Sequence, residues 1–218
     1  MTLPGRITTM SSALGFDTDT VLNFEIAKQF YNDGYRFCLR YLSLGTPEGK
    51  NELSYHEALS ILQAGLGLMA VQHVPYSGWS PTANLGTTYG TNAAKNSKAV
   101  GLPPGVNIWC DLEGVSNIVD ADTVIAYCNN WYDAVVKAGY VPGLYVGSGA
   151  ILDGAQLYHS LKFQHYWQSA SKVPQVLVRG YQLVQSDPNA RVNGTAVDKD
   201  MAQIDNCGGQ IQCLVAVP

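Results

Sequence analysis

The sequence predicts a (β/α)8 barrel of the TIM type with irregular last βα units, and three observations lead there. Strand-like and helix-like segments alternate along most of the chain until eight strands are counted. The first strand runs out through GFDTDT, which is not the glycine-rich phosphate loop that a doubly wound sheet carries after its first strand. Acids fall at the ends of the first, fourth and eighth strands, the end of a barrel where chemistry sits. With 218 residues the chain fits one domain, residues 1–218, with a barrel core at about residues 13–205.

Ala13 to Thr18 (ALGFDT) forms the first strand. Asp17, Thr18, Asp19 or Thr20 can cap a helix over Val21 to Asn32, whose buried stripe is Phe24, Ala27, Phe30 and Tyr31, with Gly34 as its stop. Tyr35 to Ser43 is rich in strand formers. Ser54 caps a helix through Ala64, with Glu57 placed to complete a capping box. Gly67 to Val74 is the third strand, and after a long loop Thr87 to Val100 is helical despite weak periodicity. Asn107 to Gly114 (NIWCDLEG) is the fourth and central strand. Asp122 caps a helix over Thr123 to Ala138, ended by Gly139.

Tyr140 to Ser148 is the fifth strand, its proline tolerated near the strand start or at a bulge. A short helix around Gly154 to Leu161 leads to Phe163 to Ala170, the sixth strand. Tyr181 to Gln185 and Ala196 to Gln203 supply the seventh and eighth, with no helix evident between the last three. Between them, Asn193-Gly194-Thr195 matches a glycosylation acceptor and reads more simply as a turn-rich loop.

Composition limits the function. The chain is 46% apolar and 14% charged, with a net charge of −4 and no basic cluster, which gives a nucleic acid or an anionic membrane little to hold. No apolar run approaches the roughly 18 residues of a membrane span. The N-terminus lacks the charged-then-apolar layout of a secretory signal, so a secreted or cell-wall location requires that a leader was already removed. Of the five cysteines, Cys38, Cys110 and Cys128 sit in apolar periodic segments as small buried hydrophobes. Cys207 and Cys213 flank CGGQIQC and could close a disulfide in an oxidising compartment. No cysteine pair has zinc-finger spacing and the histidines do not cluster there, so no metal and no cofactor are expected, and the chain is expected to be a monomer.

The chemistry gathers on the fourth strand. Side chains alternate in a strand, so Trp109, Asp111 and Glu113 share one face and Ile108, Cys110 and Leu112 the other. Two inward acids roughly 6.6 Å apart along a strand cannot both ionise cheaply. Glu113, longer and nearer the mouth, is expected to be the protonated acid, with Asp111 ionised to stabilise positive charge in an oxocarbenium-like transition state. Asp17 and Asp198, on neighbouring strands of a closed barrel, flank the mouth. Tyr145, Trp167, Trp79 and Tyr76 lie at strand ends or in the following loops, where aromatic faces can stack on sugars, and Gln168 and Arg40 join this substrate-binding set. Arg40 has a plainer alternative role as the cation that neutralises Asp111. Trp109 is expected deeper, as core, and Ser148 and Ser169 have no evident histidine partner for a hydrolase triad.

GFDT, DLEG, GLYVGS, YWQSA, YQLVQ and AVDKD, in that order from Ala13 to about Gln203, resemble the glycoside-hydrolase-like barrels of the domain-of-unknown-function 1906 family. That family is similar in turn to the family-25 lysozymes, which cleave peptidoglycan between N-acetylmuramic acid and N-acetylglucosamine. The resemblance implies that Glu113 is the catalytic acid and that Asp111 assists it or orients a substrate acetamido group. It also implies that Asp17, Asp198 and Tyr145 are the accompanying site residues. The resulting expectation is a glycoside hydrolase that cleaves a β-glycosidic bond in peptidoglycan or a related amino-sugar polymer. The alternative is an inactive barrel that binds cell-wall glycan through an aromatic-rimmed cleft.

Overall fold

The computed structural model describes residues 1–217. Eight strands close a barrel: β2 (Ala13–Thr18), β3 (Phe37–Leu42), β4 (Gly67–Gln72), β5 (Asn107–Leu112), β6 (Val141–Val146), β7 (Tyr166–Gln168), β8 (Leu183–Val192) and β9 (Thr195–Ala202). Neighbours run parallel from β2 round to β8. β9 is antiparallel to both β8 and β2 and shuts the ring. The eighth stave therefore runs opposite to that of a regular (β/α)8 barrel. The reason is local: β8 and β9 are one hairpin, turned at Asn193 and Gly194, both at positive φ (51° and 80°). Asn-Gly is the dipeptide that such a two-residue turn favours. The supposed loop before the eighth strand is thus mostly hairpin, with its ladder interrupted between Gln185 and Asp187 and between Asp187 and Ala190.

Two strands lie outside the ring. β1 (Arg6–Met10) and β10 (Ile211–Val215) pair antiparallel, and β10 meets β4 at Leu68. β4 contacts β5 only from Ala70 to Gln72, and beneath that seam the Gln212 amide donates to Asn107 Oδ1 at 2.6 Å. Cys213 is buried in this ribbon and Cys207 is exposed in the preceding turn. Both are free thiols, as are the buried Cys38, Cys110 and Cys128.

Helices α1 (Phe24–Asn32), α2 (Tyr55–Ala64), α3 (Ala83–Val100), α4 (Ala121–Lys137) and α5 (Gly154–His159) cover the barrel. α1 starts later than expected because Asn23, not an acid or threonine at 17–20, accepts the capping bond from Ile26 N. α4 is capped by Asp120 rather than Asp122, which lies in its first turn. The weak periodicity of α3 has a packing cause. Gly86 and Gly90 lie where a Cβ would collide with the Tyr127 and Trp131 backbone of α4, so these positions show no side chain because the helices touch there. Ser54 caps α2 as expected, but Glu57 leaves the box to pair with Arg40. Among the described residues, no helix is long and apolar enough to cross a membrane.

Candidate active site

Alternation along the staves decides what enters the barrel. On β5, Asn107, Trp109 and Asp111 point inward and Glu113 continues the same side at the mouth, while Ile108, Cys110 and Leu112 pack beneath the helices. Trp109 is wholly buried and lies over Gly143 of β6, where a Cβ would overlap its ring. Gly147 does the same one turn higher: a Cβ there would lie 2.6 Å from Glu113 Oε2. The segment bearing Glu113 is pinned on both sides. Trp79 Nε1 donates to the Glu113 carbonyl at 2.9 Å, and Gly114 N donates to Ser148 O at 2.7 Å.

Above the pleat, Asp111 and Glu113 stand between two joined lobes. One, about 370 Å³, is walled by Tyr145, Trp167, Ser171, Gln185 and Pro188. The other, about 350 Å³, is walled by Asp17, Thr18, Asp19, His73 and Val74. Tyr41, Asp111, Glu113, Asn189 and Asp198 border both. Acids distant in the chain thus open onto one cleft. Asp17 and Asp198 are register partners across β2 and β9, and Gln185 Nε2 donates to both, at 3.2 Å to Asp17 Oδ2 and 2.9 Å to Asp198 Oδ2. Tyr41 donates to Asp17 Oδ1 at 3.1 Å, and Tyr145 donates to Gln185 Oε1 at 3.2 Å.

No lysine or arginine lines either lobe among the described residues, so the acids answer mainly to burial and to one another. Burial, then the Asp198 carboxylate, pushes Asp17 up to about 7. Burial and Asp198 likewise raise Glu113. Asp111, only 8% exposed, is held well above the ordinary carboxylate range by burial, then by Glu113 and Asp17. Burial and the neighbouring acids thus favour the protonated form of Asp111, against the expectation of an ionised one. Its Oδ1 has no hydrogen-bond partner within the protein.

Several expected site residues lie elsewhere. Arg40 faces out of the barrel with 0% exposure, its Nε 2.6 Å from Glu57 Oε1 of α2, and it neither neutralises Asp111 nor reaches the cleft. It sits one position away from the inward-facing Tyr41, so alternation turns it outward. Trp79 is 1% exposed, packed edge-on against Tyr127, and supports Glu113 from behind. Tyr76 is 68% exposed and does not line the cleft. Gln168 takes the outer face of β7 beside the inward Trp167. Trp167 does face the cleft, but as floor: it is 1% exposed, edge-on to Tyr145 and Trp109, with Nε1 2.9 Å from Asp200 Oδ1.

Sequence reasoning missed Gln185, Asn189 and Asp200. Asp200 was readable by the same alternation that paired Asp111 with Glu113, since it follows Asp198 by two. Asn189, at φ 60°, lies in a segment whose sequence reads as a loop, and its backbone amide donates to Asp198 Oδ1 at 2.6 Å.

The model of the Rv2525c-like, glycoside hydrolase-like domain matches residues 28–207. The chain belongs to the Rv2525c-like glycoside hydrolase-like family. The matched span holds Asp111, Glu113, Asp198 and Asp200, with Asp17 just before it. Rv2525c itself, a Tat-secreted protein of Mycobacterium tuberculosis crystallised with L-tartrate, is similar at 17% identity and a TM-score of 0.67, over 92% of this chain and 99% of that one. An uncharacterised B. stearothermophilus protein matches at 20% identity and 0.65, over 88% and 96%. A family 25 glycosyl hydrolase from Bacillus anthracis matches at 12% identity and 0.63, over 91% and 92%. At these identities the likeness is one of fold, that of glycoside-hydrolase-like barrels, and the similar structures include an autolysin of Streptococcus pneumoniae and a spore cortex lytic enzyme of Clostridium perfringens. No curated protein matches the sequence.

Proposed function

We propose that this Rv2525c-like protein is a glycoside hydrolase that cleaves a β-glycosidic bond in peptidoglycan or a related amino-sugar polymer, with Glu113 as general acid and Asp111 assisting. One observation carries the reading: Glu113 stands at the junction of the two lobes, raised in pKa, with no protein hydrogen bond to its carboxyl among the described residues. An acid so placed can give its proton to a glycosidic oxygen bound across the junction.

As the bond to the leaving sugar breaks, positive charge grows at the anomeric carbon, and carboxylate charge lining the cleft stabilises it. Asp111, protonated, offers an O–H to a sugar acetamide carbonyl in the cleft. Glu113, now a carboxylate, then takes the proton of the water that adds to the anomeric carbon and returns to its starting state. A peptidoglycan-type substrate is further supported by a fold neighbour, the autolysin LytC of Streptococcus pneumoniae, whose structure was solved with a synthetic peptidoglycan ligand. A purely adhesive barrel is less well supported, because Trp79 and Trp167 are both 1% exposed and cannot form a stacking rim.

Clearing of a suspension of purified cell walls tests the proposal. The wild type should clear it, and Glu113→Gln, which keeps shape and removes the transferable proton, should not. Equal clearing by both would overturn the assignment of Glu113.

A further inference from the structure

We infer that Asp200 is a positioning residue that remains protonated on the barrel floor and donates its O–H to the Asp17 carboxylate, holding Asp17 at the cleft. The inference deepens the proposed function, since Asp17 belongs to the proposed site, but its observations are independent of any reaction.

The hydrogen-bond directions around Asp17 leave one place for the proton. Ala170 N–H can only donate, and it points at Gln185 Oε1 at 3.1 Å. The Gln185 amide is thereby oriented, and its Nε2 must be the end that meets Asp17 Oδ2 and Asp198 Oδ2. Tyr41 O–H supplies a second donor, to Asp17 Oδ1. Asp17 is thus an acceptor on both oxygens. Beneath it, Asp200 follows Asp198, the register partner of Asp17, by two, so it shares the inward face and is the diagonal neighbour of Asp17, its carboxyl within hydrogen-bonding reach.

Asp200 Oδ1 already accepts from Trp167 Nε1 at 2.9 Å, while Oδ2 receives no donor and is fully buried. Two carboxylates cannot meet in a dry core without a shared proton. With donors already committed to Asp17, the proton belongs on Asp200 Oδ2. The surroundings agree: Asp17 and Asp198 are the acids that act on Asp200, and Tyr41, Asp111, Glu113 and Asp198 share the lobe of Asp17, with no lysine or arginine among the described residues. Burial and the Asp17 charge keep Asp200 well above the ordinary carboxylate range.

Carboxyl 13C NMR on aspartate-labelled protein tests this, with Asp17→Asn and Asp200→Asn used to assign the two signals. In the wild type the Asp200 carbon should hold the shift of a protonated acid past neutral pH, while Asp17 titrates near 7. Asp200→Asn offers an N–H to Asp17 and a carbonyl to Trp167, so it should keep the Asp17 midpoint within about half a pH unit. Asp200→Ala loses the donor and should raise that midpoint by about one pH unit. Ordinary acidic titration of Asp200, or equal displacement of Asp17 by Asn and Ala, would overturn the inference. In parallel, sugar release should persist in Asp200→Asn and fall about tenfold in Asp200→Ala. Absence of sugar release from the wild type would refute the proposed function alone, leaving the NMR result to decide the role of Asp200.

Discussion

Gathering acids in a closed barrel has a cost that can be measured without any substrate. Asp17 has an ordinary value of 3.8 and is pushed up to about 7 in the folded protein, chiefly by burial and then by Asp198. The folded state therefore binds its proton more tightly than the unfolded chain does. Below pH 3.8 both states are protonated and folding is not penalised. As pH rises through the window from 3.8 to about 7, the unfolded chain ionises first and stability declines, levelling off above about 7. At about 1.4 kcal/mol per pH unit, this group alone removes about 4 kcal/mol across the window. Asp111 and Asp200, whose pKa values are raised in the same direction, steepen the fall. Urea unfolding between pH 4 and 8 should show stability dropping with pH, and Asp17→Asn should flatten the curve by most of that amount. A stability that stays level or climbs from pH 4 to 7 would refute the electrostatic account of the cleft.

Three further outcomes follow from named contacts. Gly147→Ala places a methyl against the Glu113 side chain, so sugar release should drop about 100-fold while stability falls by only about 1–3 kcal/mol. Comparable losses in a remote Gly→Ala control would show the effect to be unspecific. Glu57→Ala strands the buried Arg40 guanidinium and should cost about 3–5 kcal/mol in urea unfolding, whereas Arg40→Met with Glu57→Leu should cost much less. Tyr41→Phe removes a donor to the Asp17 carboxylate, so the Asp17 midpoint followed by carboxyl NMR should move above about 7; no change would mean that the bond is not formed in solution.

What the sequence revealed follows from what alternation can and cannot encode. Period two placed Asp111 and Glu113 on one face of β5 and told inside from outside, because β5 is apolar on its outer side and acidic on its inner side at the top. It carries no direction, so the antiparallel run of β9 had to come from the connection. The Asn193-Gly194 turn is that signal, but within DPNARVNG it reads as part of a turn-rich loop and not as the tip of a hairpin. Sequence pattern does not orient Arg40, because β3 is buried on both faces, which erases the contrast that reveals orientation, and because Glu57 is equally placed to complete a capping box. The burial of Trp79 was likewise hidden, since its partner is a backbone carbonyl 34 positions away, that of Glu113. β1 and β10 lie at opposite ends of the chain, and β1 is a strand only through β10, a pairing that local pattern does not record.

In the proposed reaction Glu113 protonates a glycosidic oxygen bound between the two lobes. The most direct measurement is the appearance of new reducing ends on purified peptidoglycan, in wild type and in Glu113→Gln, with folding checked for both. Steady release by the wild type and none above background by Glu113→Gln is the predicted result. Release at the same rate from both proteins, or from neither, would contradict it.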